Sequence, residues 1–200
     1  MAEKYMQLVL TPAVQSAQQH YFGRHQVVDH APERDTFTDE ELAHIASRDS
    51  FYVATTNSDG WPYVQHRGGP PGFLKVIGPN QLGFADFKGN RQVLSTGNLA
   101  SDDRVALILM DYVRRERLKM LGHARVLDAR EHPDLADQLC PTPALRGKIE
   151  RLFVIDIVSF DWNCPQYITP RYTEAEIAEQ LAPLKARIAE LERELLHHGG

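Results

Sequence analysis

The sequence is poor in cysteine and has no long apolar run. Only two cysteines, Cys140 and Cys164, occur in 200 residues, which excludes a disulfide framework and suits a reducing cytoplasm. No stretch approaches the roughly 18 apolar residues that a transmembrane helix needs. The apolar run at the N-terminus is also too short for a signal peptide. We therefore expect a cytoplasmic protein with no membrane partner.

Basic charge and the common catalytic motifs are scarce as well. The formal net charge is −5, and the sequence contains no run of lysine and arginine residues. No nucleic-acid partner is therefore expected. The dinucleotide-binding, Walker A, zinc-protease and serine-hydrolase motifs are missing. His20, His25 and His30 recur every five residues, which matches no helix face, and we expect no metal site.

What the sequence does contain, between residues 50 and 162, is a series of strand patterns. They are SFYVATT, WPYVQHR, FLKVIG, QLGFADF, RVALILM, ERLKMLGHARVLD and RLFVIDIVSFDW. The first two flank NSDG, a turn typical of a hairpin. Hairpin spacing with few crossovers predicts an antiparallel barrel of six or seven strands with peripheral helices.

Capping boxes mark two helices around this barrel. Thr38 and Glu41 form the first capping box and predict a helix over residues 39–47. A further helix, which has no capping box, is predicted over residues 90–98. Thr173 and Glu176 precede a long C-terminal helix. Its apolar residues follow an a/d spacing: Ile177, Leu181, Leu184, Ile188, Leu191 and Leu195. This stripe is compatible with packing on its own barrel and with pairing to a second subunit.

The junction between a strand and a helix carries Lys88, Gly89, Asn90 and Arg91. Cations at a helix start are unfavourable unless an anion neutralises them, because the first turn already carries unpaired N–H groups and partial positive charge. A bound phosphate is the simplest such anion. Arg91 would bind the phosphate through two hydrogen bonds (a bidentate contact), and Lys88 would act as a point charge. The alternative is a solvated turn with incidental charges.

Three further stretches carry groups that could meet a ligand. They hold His66, Arg67 and Gly68 in QHRGGPPG; Arg115, Arg117 and Lys119 in RRERLKMLG; and Asn163, Gln166 and Tyr167 in DWNCPQYI. Glycines beside a strand allow a ligand to approach the backbone, or they form a bulge that closes the barrel. The alternating cations serve an anionic ligand or form a charged outer surface. Cys164 is expected to be a small buried side chain.

Four stretches, taken in order, resemble the pyridoxamine 5′-phosphate oxidase-like flavoproteins, the FMN-binding split barrels. They are SFYVATTNSDGWPYVQHRGGPPGFLKV, FADFKGNRQ followed by GNL, RLKMLGHARV and NCPQYI. The branch most similar is that of the predicted flavin-nucleotide-binding proteins. The resemblance covers about residues 38–172, leaving an N-terminal extension with a helix (1–37) and a C-terminal amphipathic helix (173–200).

The resemblance implies a mainly β (α+β) fold, a six-stranded antiparallel split β-barrel that forms a homodimer with FMN in the subunit interface. It further implies an oxidoreductase that transfers hydride between FMN and a small molecule. The cofactor-binding residues implied or suggested above are His66, Arg67, Gly68, Lys75, Ala85, Asp86, Lys88, Asn90, Arg91, Gln92, Arg117, Asn163 and Gln166. Among these, Asn90 and Arg91 correspond to phosphate ligands, and Arg117 to a flavin contact from the other subunit.

The sequence also departs from the oxidases. The residues with which they bind pyridoxal phosphate have no match here, so pyridoxamine phosphate is not expected as substrate, and no catalytic residue is identified. Two alternatives stay open: a non-catalytic flavin carrier or redox-sensing module, and a split barrel that binds haem or a deazaflavin. Haem would require an axial ligand, with His66 or His123 the available histidines.

Overall fold

A computed structural model describes residues 3–89, 91–162 and 165–198 of the chain. The helices are α1 (Glu3–Val9), α2 (Pro12–Phe22), α3 (Asp39–Ser47), α4 (Leu94–Leu99), α5 (Pro133–Leu139) and α6 (Glu174–His198), with a 3-10 helix at Pro143–Lys148. The strands are β1 (Ser50–Thr56), β2 (Pro62–Gly68), β3 (Lys75–Gly78), β4 (Gln81–Phe87), β5 (Arg104–Asp111), β6 (Glu116–Asp128) and β7 (Ile149–Trp162). The predicted ligands Asn90 and Asn163, and also Cys164, lie outside the described residues.

The strands form one antiparallel sheet in the order β2-β1-β5-β6-β7-β4-β3. The predicted mainly β fold with peripheral helices is therefore confirmed. The strand count implied by the resemblance was six and is corrected to seven in the part of the chain that the structure describes, because each of the seven strand patterns in the sequence forms a strand. The sheet does not close on itself, so β2 and β3 are its two edges.

The two ends of the sheet meet through an aromatic cluster rather than through backbone hydrogen bonds. Phe51 on β1 lies 5.7 Å from Phe73 and 5.4 Å from Phe84 on β4, measured between ring centroids. Phe84 in turn stacks on Phe153 of β7 at 4.8 Å. Aromatic pairs at these distances add to the free energy of area burial. Side chains thus hold the split barrel together across its open seam.

The GGPPG loop places Phe73 in this cluster. A Cβ atom at Gly69 would come within 2.7 Å of the Phe73 side chain, so only glycine fits there. The loop donates its Gly69 and Gly72 N–H groups to the carbonyls of Asp49 and Arg48, at 2.9 and 3.0 Å. Because these N–H groups bind the protein's own backbone, they are not available to a ligand. The β1–β2 pairing reaches Gly68 without a register shift, so the loop connects β2 to β3 and does not form the expected bulge.

Helix α3 lies where the sequence predicts it. The Glu41 carboxylate accepts hydrogen bonds from the Thr38 N–H at 2.8 Å and from the Trp162 Nε1–H at 2.6 Å. The predicted capping box therefore also ties α3 to the end of β7, so a local sequence signal contributes directly to tertiary packing.

His44 of α3 is buried against the Trp162 ring, with centroids 4.8 Å apart. Burial, reinforced by the positive charge of Arg48, lowers the pKa of His44 to about 4. Between pH 6.5 and 4 the unfolded chain therefore takes up a proton that the folded protein does not bind. Its stability should fall as the pH drops through this window.

We expect the free energy of unfolding to be about 1 kcal/mol lower at pH 5.5 than at pH 7.5 because of His44 alone. His44→Gln should remove that difference, which urea unfolding at the two pH values measures. The comparison is between pH dependences, so a constant loss of stability in the variant does not affect it. An unchanged pH dependence in His44→Gln would contradict the assignment.

Helix α6 is confirmed as the long C-terminal helix, and its Thr173–Glu176 capping box forms. Its six a/d side chains are 40–73% exposed. The stripe is therefore not buried against its own barrel, which was one of the two interpretations of the sequence. Within the described ranges, no helix is both long and apolar enough to cross a bilayer.

Candidate functional site

A cavity of about 210 Å³ opens between β2, the end of β4 and the segment that leads into α4. Side chains alternate between the two faces of a strand, and Arg67 of β2 lies on the face that lines the cavity. Tyr63, Gln65 and Arg67 are half-buried and line the cavity, whereas His66 is exposed on the other face. The sequence-predicted residues Arg67, Asp86, Arg91 and Gln92 all line this cavity.

Three charged side chains form an ion-pair network in its wall. The Asp86 carboxylate accepts a hydrogen bond from Arg67 Nη1 at 2.6 Å and from Arg151 Nε at 2.8 Å. The Arg67 guanidinium also lies 5.4 Å from the Phe84 ring and 5.0 Å from the Phe153 ring. The network thus links both arginines to the aromatic cluster, and Arg67–Asp86 bridges the open seam between β2 and β4.

The cavity carries excess positive charge. Three arginines (Arg67, Arg91 and Arg151) and one carboxylate (Asp86) line it, giving this set a formal charge of +2. The Arg67 Nε atom is buried and finds no hydrogen-bond partner among the described residues. A phosphomonoester carries about −1.5 to −2 charges at neutral pH. The wall is therefore matched in sign and magnitude to such a group.

The segment before α4 is not helical, which corrects the predicted helix over 90–98. Arg91 and Val93 have φ values of 62° and 47°, in the left-handed region that is particularly unfavourable for β-branched valine. The helix therefore begins at Leu94 and has six residues. A helix this short supplies little dipole, so the arginines are the main source of positive potential.

Arg151 is the charged cavity residue that was not predicted from the sequence, and Tyr63 and Gln65 of β2 were not predicted either. Arg151 is the third residue of β7 and pairs directly with Asp86 in the β4–β7 register. No local motif marks it, because the contact depends on strands separated by more than 60 residues. Knowledge of the strand pairing would have been needed to find it.

Several predicted residues lie away from this cavity. Lys75 Nζ donates to the Gln138 carbonyl at 2.8 Å and so binds the end of α5. Ala85 faces the opposite side of β4 from Asp86 and packs with Leu139 and Leu152. Lys88 and Gln166 are exposed and do not line it.

The outer face of the sheet holds the remaining candidates. His66 packs edge-on against Tyr52, with centroids 5.4 Å apart, and Gly68 ends the same strand on this outer face. Arg117 lies on the outer face of β6, and its buried Nε atom has no partner within the described part of the chain. From there Arg117 does not reach its own cavity, so a flavin contact from it stays a prediction that requires a second subunit.

The histidines proposed as haem ligands lie at the surface. His66 is exposed, and the His123 Nδ1 atom is 2.8 Å from an Asp103 carboxylate oxygen with both side chains at least half exposed. Neither lines the cavity described above. In the residues described, no group of three or more histidine, cysteine, aspartate or glutamate side chains could hold a metal ion.

Comparison with known proteins gives the family. The sequence model for pyridoxamine 5′-phosphate oxidase matches residues 37–141, more than half of the chain. The chain therefore belongs to the pyridoxamine 5′-phosphate oxidase family, as its resemblance implied. Curated proteins give no significant sequence match.

Several solved structures are similar to this chain. HupZ from Group A Streptococcus is 11% identical with a TM-score of 0.50, and the match covers 68% of this chain and all of HupZ. A putative pyridoxamine 5′-phosphate oxidase from Lactobacillus delbrueckii is 19% identical (TM-score 0.49), covering 63% of this chain and 93% of that one. An FMN-binding protein from Syntrophomonas wolfei is 13% identical (TM-score 0.42), covering 63% and 88%.

Proposed function

We propose that the protein is an FMN-binding flavoprotein whose cavity holds the FMN phosphate through Arg67, Arg91 and Arg151. The observation that carries the proposal is the formal charge of +2 on the cavity wall, together with the buried, unpartnered Nε of Arg67. Membership of the pyridoxamine 5′-phosphate oxidase family supports the same ligand. FMN differs from riboflavin by this phosphate, so the cavity would select the nucleotide form.

Asp86 prepares the site before the ligand arrives. It accepts one hydrogen bond from each of Arg67 and Arg151, and so both guanidinium groups are already fixed in the folded protein. Binding to a fixed donor avoids the entropy loss of ordering a flexible arginine. Arg91 is exposed on the segment before α4. It is not part of the Arg67–Asp86–Arg151 network, and its guanidinium can make a bidentate contact with the phosphate.

The proposal includes a homodimer with FMN in the subunit interface, as the resemblance to the FMN-binding split barrels implies. A second copy would present Arg117 from its β6 outer face, where a cation can stabilise negative charge on the ring. When bound, FMN supplies hydride-transfer chemistry that no side chain of the protein provides. The protein's residues bind, orient and shield it, and we infer an oxidoreductase acting on a small molecule.

The absorption spectrum of the purified protein tests the cofactor. We expect flavin bands at about 375 and 450 nm, with FMN as the species identified by mass after denaturation. Haem bands instead would favour the rival cofactor. If the preparation is colourless and FMN titration gives no binding, the proposal is wrong.

Anaerobic mixing with NADH or NADPH then separates an enzyme from a flavin carrier. An oxidoreductase should bleach the flavin absorbance on mixing, and substrate candidates can be screened by the return of absorbance. A carrier or sensor should bleach slowly or not at all. Free FMN at the same concentration provides the baseline rate.

A further inference from the structure

We propose that α6 forms a parallel, in-register two-stranded coiled coil with α6 of a second copy of this chain. The helix is 25 residues long. Its six large aliphatic side chains at a/d positions are 40–73% exposed. Exposed apolar side chains in so regular a row are typical of a helix whose partner is another molecule.

The heptad assignment follows from the spacing. Leu181, Ile188 and Leu195 occupy a positions, and Ile177, Leu184 and Leu191 occupy d positions. A repeat of 3.5 residues keeps such a seam on one side of two supercoiled helices. Pro183, the residue that could disturb the helix, falls at a c position on the side away from the seam.

Charge favours the parallel orientation. In a parallel pair each g residue meets the e residue of the next heptad in the other helix. Arg187 is a g residue and Glu192 the following e residue, so two Arg187–Glu192 pairs flank the seam. In the single chain Arg187 contacts Glu190 of its own helix at 2.5 Å. That exposed pair contributes little and does not block the new one.

The antiparallel registers of two α6 helices satisfy either the apolar layers or the charge pairs, but not both. The antiparallel register that matches all six apolar layers places Lys185 opposite Lys185 of the second copy, and Arg187 opposite Arg187. A shift by one heptad restores opposite charges but leaves Ile177 and Leu181 without apolar counterparts. The parallel register therefore satisfies both the apolar layers and the charges.

Disulfide trapping in the full-length chain tests the proposal. In a background carrying Cys140→Ser and Cys164→Ser, Leu191→Cys places one thiol at a d position, which faces its own counterpart in the parallel register. Diamide oxidation should give disulfide-linked dimer at a yield at least tenfold above that of Ala189→Cys, a control on the outer side of the helix. Neither substitution touches the barrel or its cavity.

Two further variants test the charge argument. Arg187→Glu should lower the yield at position 191, and Arg187→Glu combined with Glu192→Arg should restore it. Equal yields at positions 191 and 189 would overturn the proposal. So would a dominant cross-link between Leu181→Cys and Leu191→Cys chains, since those positions face each other in the antiparallel register. The assay needs no FMN, so its outcome is independent of the proposed flavin site.

Discussion

Arg91→Ala is expected to weaken FMN binding about 10- to 150-fold, equivalent to the roughly 1.5–3 kcal/mol of a charge-assisted hydrogen bond. The free energy of unfolding should change little. Arg91 is exposed and no ion pair with another residue is seen for it among the described residues, so its removal leaves no buried partner unsatisfied. Quenching of FMN fluorescence on titration measures the affinity, and urea unfolding of the apo-protein measures the stability.

Lys88→Ala is the matched control. Lys88 is also exposed and lies three residues away, but it does not line the cavity. Its removal lowers the net charge by the same amount and should change FMN affinity far less. If Arg91→Ala and Lys88→Ala bind FMN with the same affinity, the phosphate does not lie beside Arg91.

Asp86→Asn is expected to destabilise the apo-protein by about 3 kcal/mol, because it leaves two largely buried guanidinium groups without their carboxylate. The side chains of Arg67 and Arg151 are 15% and 23% exposed, so water compensates only partly. The substitution also removes the ion pair that bridges the seam between β2 and β4. Urea unfolding of apo-protein should therefore show a clearly lower midpoint.

The same variant separates a structural role from a binding role. With Asp86 neutral, the cavity wall carries no carboxylate and Arg151 keeps only its more exposed partner Glu150. An added phosphate should therefore restore part of the lost stability. Glu150→Gln is the control, since Glu150 is a more exposed partner of Arg151 at 3.3 Å. An Asp86→Asn protein as stable as the unmodified one, with no response to phosphate, would contradict the proposed network.

Local sequence patterns were sufficient for most of the fold. The strand compositions and the two capping boxes report on short-range interactions, and the corresponding strands and helices form where predicted. The predicted start of α4 at residue 90 was wrong, because the left-handed conformations at Arg91 and Val93 have no signature in the composition of this segment. The position of α6 relative to the barrel likewise depends on tertiary contacts that a heptad pattern does not specify.

The candidate site was predictable in part. Arg67, Asp86 and Arg91 do come together at one cavity, whereas Arg151 joins them only through the β4–β7 register. Strand alternation alone could have separated His66 from Arg67, since neighbours on a strand face opposite sides. The role of these residues in binding FMN stays a prediction.

The ion pair that spans the seam gives the fold and the proposed site a common basis. The sheet leaves β2 and β4 without backbone hydrogen bonds to each other, and Arg67–Asp86 joins them by side chains. Any ligand that neutralises the remaining positive charge should therefore also strengthen the closure of the barrel. Ligand binding and stability are expected to rise together.

The most direct test compares the dissociation constants of FMN and riboflavin for the unmodified protein. The two ligands share the flavin ring and differ in the phosphate. An anion bound by a cluster of arginines should make FMN at least about 100-fold tighter, equivalent to about 2.7 kcal/mol. Equal affinities would show that the arginine-lined cavity does not bind the phosphate.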